Sequence, residues 1–198
     1  MTTSPAADLA FSPFKVFSEP FPYAITTRVF RDEISYAILE WLQCEAPWKL
    51  VETDFYEQFE FSFVDANPPS HLRFIGERLF IISLKAEIEK LFGIRLADRV
   101  DVTAHRLIEG QRIRIHNDYI SGGETHRLLI QLNHGWKDED GGLLLFFNSP
   151  DPSDIYKVFR PVHNTAMAFS ISPDSNHAVT TIHGSERFTL VYSFYQEK

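Results

Sequence analysis

The sequence predicts a mainly β chain, an all-β sandwich or barrel with helices packed on its outer face. Three observations carry that expectation. From Val100 onward, short β-prone runs alternate with turn residues, both helical patterns lie before that point, and no internal repeat or low-complexity tract interrupts the chain. About eight short strands with regular turns are the mark of such a fold. At 198 residues the chain is long enough for one well-buried domain and short for two. It divides into an arm over 1–20, a helical and strand support region over 21–99, and a β core over 100–198.

Met1 to about Pro20 is rich in Ser, Ala and Pro and shows no sustained period, so it reads as an arm, loosely docked at most. Pro22 to Phe30 is β-prone. Asp32 is placed to cap a helix whose apolar stripe is Ile34, Ala37, Ile38, Trp41 and Leu42, with Pro47 beyond its end. Between Trp48 and Val64, Phe55, Phe59, Phe61 and Phe63 are separated by polar residues such as Glu60 and Ser62, a pattern for a strand or an extended lid with its aromatics in the core or, as the alternative, in a substrate wall. Asn67-Pro68-Pro69-Ser70 is a turn and helix start. Leu72, Ile75, Leu79, Ile82, Ala86, Ile88 and Leu91 then form one long or two short helices ending at Gly93.

In the β core the strands expected are Val100 to Leu107, Arg112 to His116, Arg127 to Asn133, Leu143 to Phe147, Ile155 to Arg160, Thr165 to Ile171, Ala178 to Ile182 and Arg187 to Tyr195. Breakers such as Ser121-Gly122-Gly123, Asp140-Gly141-Gly142 and Ser172-Pro173-Asp174 separate them.

The second of these strands leads into Arg114-Ile115-His116-Asn117-Asp118-Tyr119. Alternate residues of a strand share a face, so His116 and Asp118 can converge on one point as two metal ligands. His177 offers a third ligand, and Arg187 follows ten residues later at the head of a strand. Two histidines and a carboxylate make the facial triad that leaves positions open on non-haem Fe(II). An arginine nearby can hold an acidic co-substrate by a bidentate pair. Spacing alone leaves His163 and His183 as alternative third ligands. Of the other histidines, His105 reads as a satisfied, partly buried residue, His126 and His134 as loop residues, and His71 as a helix-face residue. Arg112, Arg114 and Arg127 line the barrel mouth or are solvated.

Taken together these residues resemble the 2-oxoglutarate- and Fe(II)-dependent dioxygenases, within them the prolyl-4-hydroxylase-like branch. The resemblance runs from about Val102 to Tyr195. It rests on an ordered set: Glu109-Gly110-Gln111, His116-Asn117-Asp118, Arg127 with Gln131-Leu132-Asn133, Trp136, Gly141-Gly142 before Phe146-Phe147, Pro161, Phe169, His177-Ala178-Val179 and Gly184-Ser185-Glu186-Arg187. It implies a double-stranded β-helix, the cupin-like jelly roll, with Fe(II) held by His116, Asp118 and His177. Arg187 would bind the C5 carboxylate of 2-oxoglutarate, Thr189 would add a hydroxyl bond, and O₂ would be the other co-substrate. Three positions depart from the family pattern: Leu107 stands where tyrosine is frequent, Gln131 where an aromatic is frequent, and Asn164 where glycine is common. Gln131 or Arg106 is then expected to supply the missing polar contact, and Asn164 to accept a positive φ. Asp118 occupies the position at which related halogenases carry a small residue, which favours hydroxylation.

The formal charge of −8 argues against nucleic acid as a partner. No apolar run approaches a membrane span and no secretory signal pattern opens the chain, so a cytoplasmic protein is expected. Cys44, the single cysteine, excludes an internal disulfide and reads as a half-buried helical residue. The function expected is hydroxylation of an unactivated C–H of a peptidyl residue, amino acid or small metabolite, with release of succinate and CO₂. Desaturation or cyclisation with the same cofactors, a non-catalytic metal- or ligand-binding barrel, and a zinc hydrolase are the alternatives. Arg187 discriminates, because a buried carboxylate anchor has a use only if a diacid binds. Neither the substrate nor the oligomeric state is written in the sequence.

Overall fold

The computed structural model describes residues 11–197. Its elements run β1 (Lys15–Phe17), β2 (Tyr23–Thr26), α1 (Asp32–Cys44), β3 (Lys49–Glu52), β4 (Glu57–Ser62), a 3-10 segment (Ser70–Gly76), α2 (Arg78–Phe92), β5 (Leu96–Leu107), β6 (Ile113–His116), β7 (His126–Gln131), β8 (Leu144–Phe147), β9 (Ile155–Phe159), β10 (Thr165–Ser170), β11 (His177–Val179) and β12 (Arg187–Gln196). An eight-stranded sheet has the order β1-β2-β10-β7-β12-β5-β4-β3, and a four-stranded sheet has the order β6-β11-β8-β9. Of strands β5 to β12, four (β5, β7, β10, β12) lie in the large sheet and four (β6, β8, β9, β11) in the small one, in the manner of a double-stranded β-helix, the jelly roll that the resemblance implies.

The large sheet is buried on both faces, and the period-two rule decides which residue goes where. Leu107, Leu129, Met167, Phe169 and Val191 point inward and share an apolar cluster with Leu144, Phe146 and Val179 of the small sheet. Their neighbours Ala104, Leu128, Ile130, Ala168, Leu190 and Tyr192 point outward, into a cluster with Ile38 and Leu42 of α1 and Phe80, Leu84 and Ile88 of α2. The Tyr192 hydroxyl donates to the Ile75 carbonyl at 3.0 Å, which ties the 3-10 segment to the outer face.

Helix α2 stops where expected, with Gly93 in the left-handed conformation (φ 66°) and its N–H on the Glu89 carbonyl. Asn164 takes φ 60°, and its side chain also stitches β10 to the strand-to-helix loop: Oδ1 accepts from the Phe30 amide at 2.9 Å and Nδ2 donates to the Phe30 carbonyl at 2.9 Å.

Several expectations are corrected. Part of the arm is ordered sheet: β1 pairs with β2, because Lys15 to Phe17 continues the edge in register with Tyr23 to Ile25. Asp32 is the first helical residue and not the cap; Arg31 precedes it, and the Asp32 carboxylate pairs with Arg28 at 3.1 Å. An acid in the first turn still favours the helix dipole. Cys44, at the end of α1, is exposed. The strand expected over Ala178 to Ile182 is shorter and starts one residue earlier, and only Ile182 continues it, as an isolated bridge to Gly141. His126 belongs to β7 and not to a loop; it is buried and lies 4.9 Å from the Phe92 ring.

The Gly141 bridge demands glycine. Its φ is 67°, and a Cβ there would lie 1.9 Å from the Thr181 carbonyl oxygen. Gly141→Ala combines a left-handed penalty with a backbone displacement and is expected to cost about 3 kcal/mol. Urea unfolding checks this; a loss below about 1 kcal/mol would show that the bridge is not structurally demanding.

Candidate metal and co-substrate site

His116 is the last residue of β6 and His177 the first of β11, and the two are directly paired across the small sheet. Asp118 reaches the same point by a different device from simple alternation. The strand ends at His116, and Asp118 turns back in the left-handed region at φ 58°, which aspartate is among the residues best able to adopt. The loop before β11 braces that turn: Asn117 donates to the Pro173 carbonyl at 2.9 Å, and the Ser175 hydroxyl donates to the Asn117 carbonyl at 2.9 Å.

Each histidine is oriented by a carbonyl two residues before it. His116 Nδ1 lies 2.8 Å from the Arg114 oxygen, and His177 Nδ1 lies 2.8 Å from the Ser175 oxygen. A carbonyl can only accept, so both Nδ1 atoms carry hydrogen and the neutral rings present Nε2 lone pairs. Those lone pairs face the Asp118 carboxylate, at 3.4 Å for His116 and 3.1 Å for His177. The three donor groups all lie within 4.8 Å of one another. Two bare imidazole nitrogens against a carboxylate repel unless a cation stands among them, so the donor set fits a metal ion. Burial lowers the His177 pKa, which favours the neutral, ligating form. Burial works to raise the Asp118 carboxyl, but the positive charge of Arg127 works against it, and the carboxyl stays far below its ordinary range.

Arg127, expected to line the barrel mouth or to be solvated, lines the cavity and is in addition a partner of Asp118. Its Nη1 lies 2.5 Å from Asp118 Oδ2, while Nε and Nη2 form a fork on Glu124 at 2.9 and 2.7 Å.

Arg187, at the head of β12, is only 4% exposed. Its Nη1 donates to Thr189 Oγ1 at 2.9 Å, and that hydroxyl donates to Gln131 Oε1 at 3.0 Å. Its Nε has no partner, and no carboxylate pairs with the guanidinium among the described residues. Burial lowers its pKa to about 10. A buried cation without a counterion, facing a cavity, fits an anionic ligand.

Thr189 and Gln131 thus stand with Arg187, and Arg106 does not. Strand β5 sends His105 and Leu107 inward and Arg106 outward, where it pairs with Glu186 and lies over the Phe59 ring. The alternative ligands are also elsewhere: His163 contacts Ser35 at 3.1 Å and Tyr36, and His183 lies beside Gly141.

A cavity of about 290 Å³ extends from His116, Asp118 and His177 to Arg187 and Thr189. Its remaining wall includes Phe55, Tyr56, Gln58, Glu60 and His105. The Phe55 ring lies 4.7 Å from that of His116, so of the four alternating phenylalanines Phe61 and Phe63 are core and Phe55 lines the site. Burial lowers the His105 pKa to about 3, and the ring is neutral. The sequence signal for Gln58, Glu60 and His105 was their parity: each alternates with residues that face the outer core.

The family model of the 2OG-Fe(II) oxygenase superfamily matches residues 102–195. Among solved structures, the chain is similar to a Pseudomonas putida prolyl-4-hydroxylase, with a TM-score of 0.70 and 15% identity over 89% of this chain and 93% of that one. A prolyl hydroxylase from Trichoplax adhaerens, solved with a hypoxia inducible factor oxygen degradation domain peptide fragment, gives a TM-score of 0.66 and 13% identity over 88% and 83%. The viral collagen prolyl hydroxylase of Paramecium Bursaria Chlorella virus-1, solved with 2-oxoglutarate, gives 0.59 and 15% over 89% and 96%. At these identities the likeness is one of fold. No curated protein matches the chain.

Proposed function

We propose, from the match of residues 102–195 to the 2OG-Fe(II) oxygenase superfamily, that the chain is a 2-oxoglutarate- and Fe(II)-dependent oxygenase with O₂ as co-substrate and that it hydroxylates an unactivated C–H of a peptidyl residue, amino acid or small metabolite. In that reaction one oxygen atom of O₂ enters the C–H bond. The other enters 2-oxoglutarate, which loses CO₂ and leaves as succinate.

His116, Asp118 and His177 would hold Fe(II) on one face, and Arg187 would bind the far carboxylate of 2-oxoglutarate. Fe(II), once bound with 2-oxoglutarate and O₂, supplies the oxidising power for C–H cleavage. The chain supplies position and charge. The Arg114 and Ser175 carbonyls keep the two Nε2 atoms aimed inward, Arg127 holds the Asp118 carboxylate, and Thr189 with Gln131 keeps the Arg187 fork in place. Phe55 and the apolar side chains Leu129, Leu144 and Val179 limit water in the cavity.

The observation that carries the reading is Arg187, buried and without a carboxylate partner, in the cavity that also holds the His-Asp-His group. A zinc hydrolase, or a barrel that binds a metal alone, gives this cation nothing to bind. Anaerobic addition of Fe(II) and 2-oxoglutarate is expected to produce a weak visible metal-to-ligand charge-transfer band. His177→Ala is expected to abolish it while the far-UV spectrum stays unchanged. No band from folded, iron-loaded wild type would refute the reading.

A further inference from the structure

A row of inward-facing side chains crosses four strands of the large sheet: Glu60 lies opposite His105, His105 opposite Thr189, and Thr189 opposite Gln131. Adjacent strands lie about 4.8 Å apart, which puts Glu60 roughly 10 Å from Thr189. The two ends of the row have opposite character. At one, Arg187 and its hydroxyl and amide partners suit an anion. At the other, acceptors collect, and among the described residues no lysine or arginine lies within ion-pair distance of Glu60.

Gln58 is 1% exposed and lines the cavity. Its Nε2 donates to Glu60 Oε2 at 2.9 Å, and its Oε1 has no partner. Reversing the amide would set its oxygen against the Glu60 carboxylate, so the orphan atom is an acceptor. A buried acceptor with nothing to accept from is unfavourable unless a ligand donates to it. The nearest basic group to Glu60 is His105 Nε2 at 3.9 Å, on a ring that burial keeps neutral. Tyr56 and Phe55, whose rings meet edge to face 4.9 Å apart, complete this end of the cavity with π faces and a phenol. The outward groove that continues from these two rings carries Glu52, Asp54, Glu57 and Glu109 against Arg112 and Arg114, so the sign of the charge persists.

We propose that the Gln58–Glu60 end of the cavity binds a positively charged, hydrogen-bond-donating nitrogen of the substrate, so that the substrate class is a basic side chain or amine bearing an ammonium or guanidinium group. The inference rests on the oxygenase reading and adds its substrate. A cation placed there neutralises Glu60 and, once the Gln58 side chain turns its buried Oε1 toward the cavity, donates to that oxygen as well. A pyrrolidine ring in the same place would press carbon against an unsatisfied amide oxygen and a carboxylate. Glu60 also repels a dicarboxylate, which leaves the Arg187 end as the place for the co-substrate.

The test uses the full chain with Fe(II) and 2-oxoglutarate under anaerobic conditions. It is titrated calorimetrically with the N-acetyl methylamides of lysine, arginine, norleucine and proline, and the charge-transfer band is followed in parallel. Lysine or arginine probes are expected to bind at least about tenfold more tightly than norleucine or proline. Glu60→Gln is expected to remove that preference, and Gln58→Leu to weaken the basic probes about tenfold. Affinity for 2-oxoglutarate, read from the band, is expected to stay within about twofold in both variants. Equal or tighter binding of the proline probe, an unchanged preference in Glu60→Gln, or no binding of either basic probe would overturn the proposal while leaving the oxygenase reading intact. A missing band in wild type would remove both.

Discussion

Arg187→Met is expected to give a protein that is more stable than wild type when both are free of ligand, and that no longer binds 2-oxoglutarate. Arg187 is 4% exposed, and burial alone brings its pKa down to about 10 from 12.5. A shift of that size corresponds to a cost of about 3 kcal/mol for holding the charge. Methionine fills much of the same stem volume without the charge. Losing the Nη1 donor to Thr189 returns about 1 kcal/mol of that gain, because the Thr189 hydroxyl keeps its bond to Gln131. The net expectation is a ligand-free protein more stable by about 2 kcal/mol in urea unfolding. Binding moves the other way. A fork-shaped, charge-assisted pair inside the cavity is worth roughly 3–4 kcal/mol, so the dissociation constant for 2-oxoglutarate should rise by about 10²–10³. Saturating 2-oxoglutarate then reverses the order of stabilities, since it stabilises only the protein that binds it. A destabilised ligand-free variant would show that Arg187 is a packing residue. A variant that binds 2-oxoglutarate within tenfold of wild type would remove it from the co-substrate site.

The eight strands from β5 to β12 were legible because each is a short β-prone run bounded by turn residues, and the turn residues are local chemistry. Gly93 and Asn164 were legible for the same reason: each takes a backbone conformation that its residue type favours. The triad and Arg187 were legible from the ordered family pattern; strand alternation pointed to His116 and Asp118 together, but the strand ends at His116 and it is the positive φ at Asp118 that brings the carboxylate round. What failed was parity and pairing. Arg106 and His105 are neighbours, and a one-residue change of register exchanges the face each occupies, so the sequence could name the strand without naming the inward residue. Strand β4 misled in a related way. Its alternating phenylalanines do mark a core face, but the core is the one shared with the helices, and the polar face of Gln58 and Glu60 is therefore turned into the cavity. A strand buried on both faces with one face polar marks a site, and only the second sheet reveals that both are buried. Arg127 was missed because its partners come from a loop whose path depends on the positive φ at Asp118.

That last residue makes the strongest case for coupling between metal and fold. Arg127→Met should destabilise the metal-free protein by roughly 3–5 kcal/mol, because it leaves Asp118 and Glu124 as neighbouring, mostly buried carboxylates with no counterion. Arg127 itself is held firmly charged: burial opposes the charge, and the two acids outweigh it. In wild type the guanidinium shares Asp118 with whatever cation the histidines attract, so it both orients the carboxylate and competes for its charge. Without it, a divalent ion at His116, Asp118 and His177 becomes the sole positive charge beside Asp118. Metal should therefore stabilise Arg127→Met by more than it stabilises wild type, and the gap between the two proteins should narrow on loading. Thermal unfolding with chelator and then with excess Zn(II), a redox-inert stand-in, measures both effects, and Glu124→Gln in the same background should recover part of the metal-free loss. If Arg127 served only to position Asp118, the variant would bind metal about 10–100-fold more weakly and the gap would widen on loading. The direction of that change separates a counterion from a brace, and the pairing of Arg127 with two acids, only one of which is in the metal-binding group, favours the counterion.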